Sequence, residues 1–250
     1  MNKKSKKRTL LVISLFILLI LSVIGIVYVL GGLNIKPNND IESVKKHNEQ
    51  LGLTDKPVTE SDKANHHAED NKPRFITIDN AGVNRARVQE IGLLDPSSDG
   101  SQQMDVPKNI NDVGWYNCQI NPVESLKCER YVAPSTVADS INSSDAVVLD
   151  GHSCGRSKCV FDNIYKLNSG DVIKVEMGNG SIIEYSVSHV ETVGVNSVDM
   201  NKVVKSIDPN KPGLNLITCS GSWTSVDSRG AISMDKRTIV YAVQASLNRD

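Results

Sequence analysis

A chain of 250 residues, 39% hydrophobic and 23% charged, can bury one domain of about 150–200 residues with segments to spare. Its formal charge of −1 hides an uneven distribution. Five of the 28 Lys and Arg fall within residues 1–30, which hold no acid, so the remaining 23 face 29 acids, a net of −6. A mildly acidic body without a basic stripe argues against nucleic-acid binding, where phosphates need clustered cations.

Leu10–Leu30 is apolar or small throughout and uncharged. About 20 such residues span the hydrocarbon core of a bilayer as a helix, which satisfies its own backbone there. Lys3, Lys4, Lys6, Lys7 and Arg8 stand immediately before it. The positive-inside rule keeps those cations cytoplasmic, so the chain after Leu30 faces outward. A cleaved signal peptide would have a shorter apolar run and a small-x-small cleavage site, and no Ala-x-Ala follows here. The expected order is a cytoplasmic tail over 1–9, a single-pass transmembrane anchor over 10–30 and a flexible stalk over 31–72. The body then occupies 73–250 outside the cell membrane. Within the stalk, Ile41, Val44 and Leu51 fit one face of a short helix across Ile41–Leu53. His66–His67 reads as a solvated pair rather than a metal site.

From Arg74 the pattern turns to strand. Arg74–Ile78 alternates with period two, and Val172–Met177, Ser181–Val190 and Thr238–Ala245 are β-branched runs bounded by turn residues. Gly178-Asn179-Gly180 is a hairpin signal. Ala146–Asp150 and Leu214–Thr218 read as strands buried on both faces, and Ser135–Asn142 and Val160–Leu167 as short helical pieces. Many short strands with turn-rich joints indicate a mainly β sandwich or barrel.

Five cysteines invite chemistry: Cys118, Cys128, Cys154, Cys159 and Cys219. Outside the membrane thiols tend to oxidise, and two local loops, Cys118/Cys128 and Cys154/Cys159, are the first pairing to expect. Four cysteines allow about three connectivities, and a tetrahedral zinc site from the same four is the rival. Cys219 stands apart, at the end of an apolar strand before Ser220-Gly221-Ser222, which reads as a mobile loop. His152 ends another strand, and Arg237 opens a third. A thiol, an imidazole and a guanidinium at separate strand ends can meet at one barrel mouth. There a Cys219 thiolate would attack an acyl carbon, His152 would pass protons, and Arg237 would hold an oxyanion or the substrate backbone. His189, inside a strand pattern, reads as structural.

These pieces resemble the sortase family of cysteine transpeptidases. Asp145–His152 (DAVVLDGH) resembles the strand ending in the family's His, and Phe161–Val175 resembles the segment that follows it. Asn215–Cys219 (NLITC) resembles the Thr-Cys strand, and Lys236–Ala242 (KRTIVYA) resembles the Arg segment. Pro73–Ile78 (PRFITI) and Asn111–Tyr116 (NDVGWY) are similar to sortases of the class E/F kind. The resemblance covers most of Pro73–Ser246. It implies a closed eight-stranded β-barrel with short helices that cleaves a Leu-Pro-x-Thr-Gly-like sorting signal between Thr and Gly. The Thr acyl group is held on the Cys and then passed to an amine of peptidoglycan or of a pilin. By position Cys219 would be the nucleophile, His152 the general acid/base and Arg237 the clamp. Thr218 would help bind substrate, and Arg229 is a less favoured second cation. Substrate selection would fall to the loop around Val193–Pro212.

Two features depart from the pattern: Asn117–Ser144 is long, and Cys154 and Cys159 closely follow His152. Paired cysteines would act as staples on insertions beside the site. His152–Arg156 (HSCGR) also faintly resembles the L,D-transpeptidase motif in scrambled order, which would make Cys154 the nucleophile. A non-catalytic, membrane-tethered β domain that binds wall polymer or a surface partner is the third reading. No cofactor is implied. Calcium, which stimulates some of the family, stays open, with no carboxylate cluster in the sequence to point to it.

Overall fold

The computed structural model describes residues 37–94, 104–117, 145–155, 159–226 and 230–245. The expected membrane segment, Cys118, Cys128, the helical piece at Ser135–Asn142 and Arg229 lie outside those residues. Among the described residues, no helix is long and apolar enough to cross a membrane. The chain divides into two units, Met1–Ile41 and Glu42–Asp250; of the first, only the opening turn of a helix is described.

The second unit is built on eight strands: β1 (Pro73–Ile78), β2 (Val83–Ile91), β3 (Val113–Tyr116), β4 (Ala146–Gly151), β5 (Val172–Met177), β6 (Ile182–Gly194), β7 (Gly213–Val226) and β8 (Ile232–Gln244). They close into a barrel in the order β1-β2-β3-β4-β7-β8-β6-β5, with β5 returning to β1. The β2–β3 and β4–β7 pairs are parallel and the rest antiparallel. Closure removes the sheet edges that would otherwise template aggregation. Inward positions such as Ile76, Val88, Leu149, Val175, Leu216 and Val240 fill one apolar core. A second, smaller cluster lies on the opposite face of β4, β7 and β8: Val148, Ile217, Ile239 and Tyr241, capped by Val203.

The strand expectations hold with altered bounds. The hairpin between β5 and β6 turns at Gly178–Gly180, where Gly180 takes φ +84° and donates to Met177 O at 2.9 Å. Strand β2 was not legible: its sequence VNRARVQEI alternates around Arg85 and Arg87, whose polarity masks it. Both arginines face outward onto carboxylates, Arg85 to Glu176 and Arg87 to Asp112. Val160–Leu167 shortens to a single 3-10 turn, Ile164–Lys166.

The expected stalk is the main correction. Helices α1 (Pro37–Leu51) and α2 (Glu60–Ala64) form within it, α2 behind a capping box of Thr59 and Asp62. His47 is 8% exposed, and Thr54 bridges Asn109. His66 is half-buried, its Nε2 bonding Val88 O at 3.0 Å and its ring edge-on to Phe75, so of this pair His67 alone is exposed. Apolar Val44 and Leu53 find partners on the barrel, which is why this polar stretch packs down.

Candidate active site

Strand register brings the three chemistry-bearing residues together. From Ala146↔Gly213 to Asp150↔Ile217, parallel strands β4 and β7 keep one constant offset. Thr218 extends it one step, its Oγ1–H donating to Gly151 O at 2.6 Å across a separation of 67 residues. The same offset sets His152 level with Cys219. Across the antiparallel pair β7–β8, Cys219 is the register partner of Arg237. Neighbouring strands lie about 4.8 Å apart, so the three Cα atoms fall within roughly 10 Å along one row.

Side chains alternate along a strand, which decides the face they share. Leu214, Leu216, Leu149 and Val240 belong to the barrel interior, whereas Ile217, Ile239 and Val148 belong to the outer cluster. Cys219, Arg237 and His152 are in phase with the outer set. Thiol, imidazole and guanidinium therefore stand at the end of an outward apolar strip over β4, β7 and β8. Over that strip lies the β6–β7 connection, with helix α3 (Met200–Val203). Buried Asn215 ties it down, its Nδ2 donating to Val203 O at 2.7 Å and Lys205 O at 2.8 Å. Glu191 adds a second tie, accepting from Lys202 Nζ at 2.8 Å and Tyr241 OH at 2.7 Å. The Lys202 bond leads in holding Glu191 below the usual carboxylate range, while burial and the bond to Glu191 push the Tyr241 phenol up.

Each candidate has a distinct setting. Cys219 is half-buried and outside any disulfide. His152 is 8% exposed, with Nε2 at 2.8 Å from Pro107 O. A carbonyl only accepts, so Nε2 carries the proton and Nδ1 is the basic nitrogen of the neutral ring. Arg237 is half-buried; Nη1 donates to Met234 O at 2.9 Å and Lys236 O at 2.8 Å, and Nη2 reaches Ser233 Oγ at 3.4 Å. Thr218 is 3% exposed and its hydroxyl donates to Gly151 O, which ties the ends of β4 and β7 together.

The loop after His152 is closed by a Cys154–Cys159 disulfide, with Cα atoms 5.5 Å apart. Asp162 organises it: Oδ1 accepts from Ser153 Oγ at 3.0 Å, Gly155 N at 2.9 Å and Cys154 N, and Oδ2 from Cys159 N at 3.0 Å. The disulfide is the pairing expected for this loop and counts against two rival readings. Zinc loses two of its four proposed thiolates, and the scrambled L,D-transpeptidase reading loses Cys154 as a nucleophile. Among the described residues, no group of three or more His, Cys, Asp or Glu is placed to hold a metal ion.

The expected mobile loop Ser220–Ser222 is instead a bulge within β7. Gly221 takes φ +88° beside Asp235, whose Oδ1 accepts from Ser222 N at 2.7 Å. Arg237 likewise lies well inside β8 and does not open it. His189 is structural as expected, opposite Tyr241 on β8 with stacked rings 6.1 Å apart. Sequence reasoning did not single out Asp162 or Asn215, though both lie in segments that resemble the family, nor the Pro107 carbonyl, which reaches His152 from a distant loop. It also missed His47, whose ring lies 6.4 Å from that of His152.

A closed barrel with a thiol, an imidazole and a guanidinium in adjacent rungs defines a candidate cysteine enzyme. Residues 104–245, more than half of the chain, match the Sortase domain family, and the protein belongs to the sortase family of cysteine transpeptidases. No curated protein matches it. Among solved structures it is similar to sortase C-1 from Actinomyces oris, at 18% identity and a TM-score of 0.44 over 83% of this chain and 98% of that one. It is also similar to sortase C from Clostridium perfringens SM101, at 15% identity and a TM-score of 0.40 over 84% and 89%. The SrtA sortase from Actinomyces oris aligns at 19% identity and a TM-score of 0.42 over 69% and 79%.

Proposed function

We propose that this sortase is held in the cell membrane by Leu10–Leu30, with its barrel outside, and joins surface proteins to wall or pilus amines. Its donor carries a Leu-Pro-x-Thr-Gly-like signal. The Cys219 thiol passes its proton to His152 Nδ1, the resulting thiolate attacks the Thr carbonyl carbon, and Arg237 N–H groups not engaged by Met234 O and Lys236 O stabilise the oxyanion. As the C–N bond breaks, His152 Nδ1 gives a proton to the departing Gly amine, leaving a thioester on Cys219. An incoming amine of a peptidoglycan precursor or a pilin Lys loses a proton to His152 and displaces the sulfur, which restores the thiol.

The single observation that carries this reading is the register: Cys219 pairs with Arg237, and the β4–β7 offset sets His152 at the same level. The connection spanning Val193–Pro212, tied over the outer strip, supports its assignment to substrate selection. The class E/F character suggested by PRFITI and NDVGWY belongs to the same proposal. The test is a fluorogenic Leu-Pro-x-Thr-Gly peptide library, with and without amines, on the soluble ectodomain. Cleavage that accelerates with amine, and falls to background in Cys219→Ala, His152→Ala and Arg237→Ala, is expected. Undiminished cleavage in Cys219→Ala would overturn the proposal.

A further inference from the structure

Helix α1 brings a second imidazole to the site. His47 is 8% exposed, as is His152, and the two rings meet edge to face with centroids 6.4 Å apart. On its other side His47 lies against the Trp223 indole, centroids 5.1 Å apart. Its Nδ1–H donates to Ile232 O at 2.6 Å, and one turn later Gln50 Oε1 accepts from Ile232 N at 2.9 Å. Both backbone groups of Ile232, near the start of β8, are thus gripped by the same helix face. Around the helix, Val44 and Leu53 pack on Ile110, Cys154 and Cys159, the disulfide-closed loop that follows His152.

One short segment therefore touches both walls of the site: the loop carrying His152 and the β7–β8 hairpin carrying Cys219 and Arg237. An imidazole rotates about two bonds, and the Nε2–H bond to Pro107 O holds one end of the His152 ring. The His47 ring packs edge to face on the His152 ring and, on its other side, against Trp223.

We infer that His47 is a positioning residue, a ring wedged between His152 and Trp223 that holds the His152 imidazole with Nε2–H on Pro107 O and Nδ1 directed to the reacting centre. The inference rests on the proposed transpeptidation for its kinetic readout but not for its spectroscopic one. It predicts that loss of the ring lowers kcat and leaves peptide KM nearly unchanged, since His47 orients a proton carrier and binds no substrate.

The test compares wild type with His47→Ala, His47→Phe and His47→Asn. Kinetics use a Leu-Pro-x-Thr-Gly peptide, and 15N spectra of the His152 ring are recorded without substrate. His47→Ala should lose kcat by about tenfold, with KM within about twofold, the scale of modest misplacement of a reacting group. Its His152 nitrogens should shift from a single Nε2–H tautomer toward a mixture. His47→Phe, which keeps a ring, should recover most of both effects; His47→Asn, which keeps only a donor, should not. Wild-type values of kcat and of the His152 spectrum in His47→Ala would overturn the inference, as would equal losses in all three variants. Should His47→Ala fail to fold, the contrast between the Phe and Asn replacements decides. Should wild type turn over no sorting peptide, the functional reading fails, and the His152 spectrum still decides the role of His47.

Discussion

Gly151 closes β4 one residue before His152, and its missing side chain is a structural requirement. A methyl on its Cα would lie 2.6 Å from Cγ and 2.8 Å from Cε2 of Phe161, well inside the ~3.5–4.0 Å optimum for carbon pairs. Phe161 is 1% exposed and its amide donates to His152 O at 2.9 Å. The ring cannot swing into solvent, so relief must displace Phe161 together with the strand end that carries His152. Overpacking of this kind costs about 1–3 kcal/mol. Gly151→Ala should lower the unfolding free energy by that amount, seen as a lower urea midpoint with an unchanged m-value. It should also cut peptide turnover under conditions where the variant stays folded. Adding Phe161→Leu makes room for the methyl, and the double variant should recover part of the loss, a coupling of ~0.5–3 kcal/mol in a double-mutant cycle. A Gly151→Ala protein within ~0.5 kcal/mol of wild type, with full turnover, would refute the reasoning.

Thr218→Val keeps shape but removes the donor to Gly151 O, and should cost about 1–3 kcal/mol in urea unfolding because the carbonyl is left unpaired. Asp162→Asn places an amide where a carboxylate accepts from the amides of Cys154, Gly155 and Cys159; a comparable loss and slower turnover are expected, read by denaturation and peptide cleavage. Without reductant, iodoacetamide should label Cys219 and spare Cys154 and Cys159, with mass spectrometry as the readout. Burial chiefly holds the His66 pKa below its ordinary 6.5. The unfolded state then binds more protons in that window, so His66 contributes stability above pH 6.5 that is lost as pH falls through its folded value. His66→Gln should flatten that slope in unfolding curves measured across the window.

What the sequence revealed followed from periodicity. Val172–Met177 and the Gly178–Gly180 turn were legible because apolar alternation and glycine punctuation are local signals, and they appear as β5 and its hairpin. The barrel itself came from the family resemblance, since strand order rests on pairings between distant segments. Strand β2 escaped because Arg85 and Arg87 find Glu176 and Asp112 only after folding. The bulge at Gly221 reads as a loop in the sequence because small residues look alike in both settings. His152, Cys219 and Arg237 could be singled out as strand-end chemistry, but their common row depends on the β4–β7 and β7–β8 registers. His47 carries no motif, and Asp162, though inside the resembling segment Phe161–Val175, is not singled out by it. His47 acts through contacts with Ile232 and Trp223 that cross the chain, whereas Asp162 gathers the amides of its own loop.

The most direct measurement is to trap the acyl-enzyme. A Leu-Pro-x-Thr-Gly peptide is mixed with the protein, quenched in acid within the first turnover, and the protein is digested and mapped by mass spectrometry. The account predicts the acyl fragment ending in Thr as a thioester on Cys219, discharged by hydroxylamine or an added amine and absent from Cys219→Ala. An acyl group found on any other residue, or cleavage that leaves Cys219 unmodified and still alkylatable throughout, would contradict it.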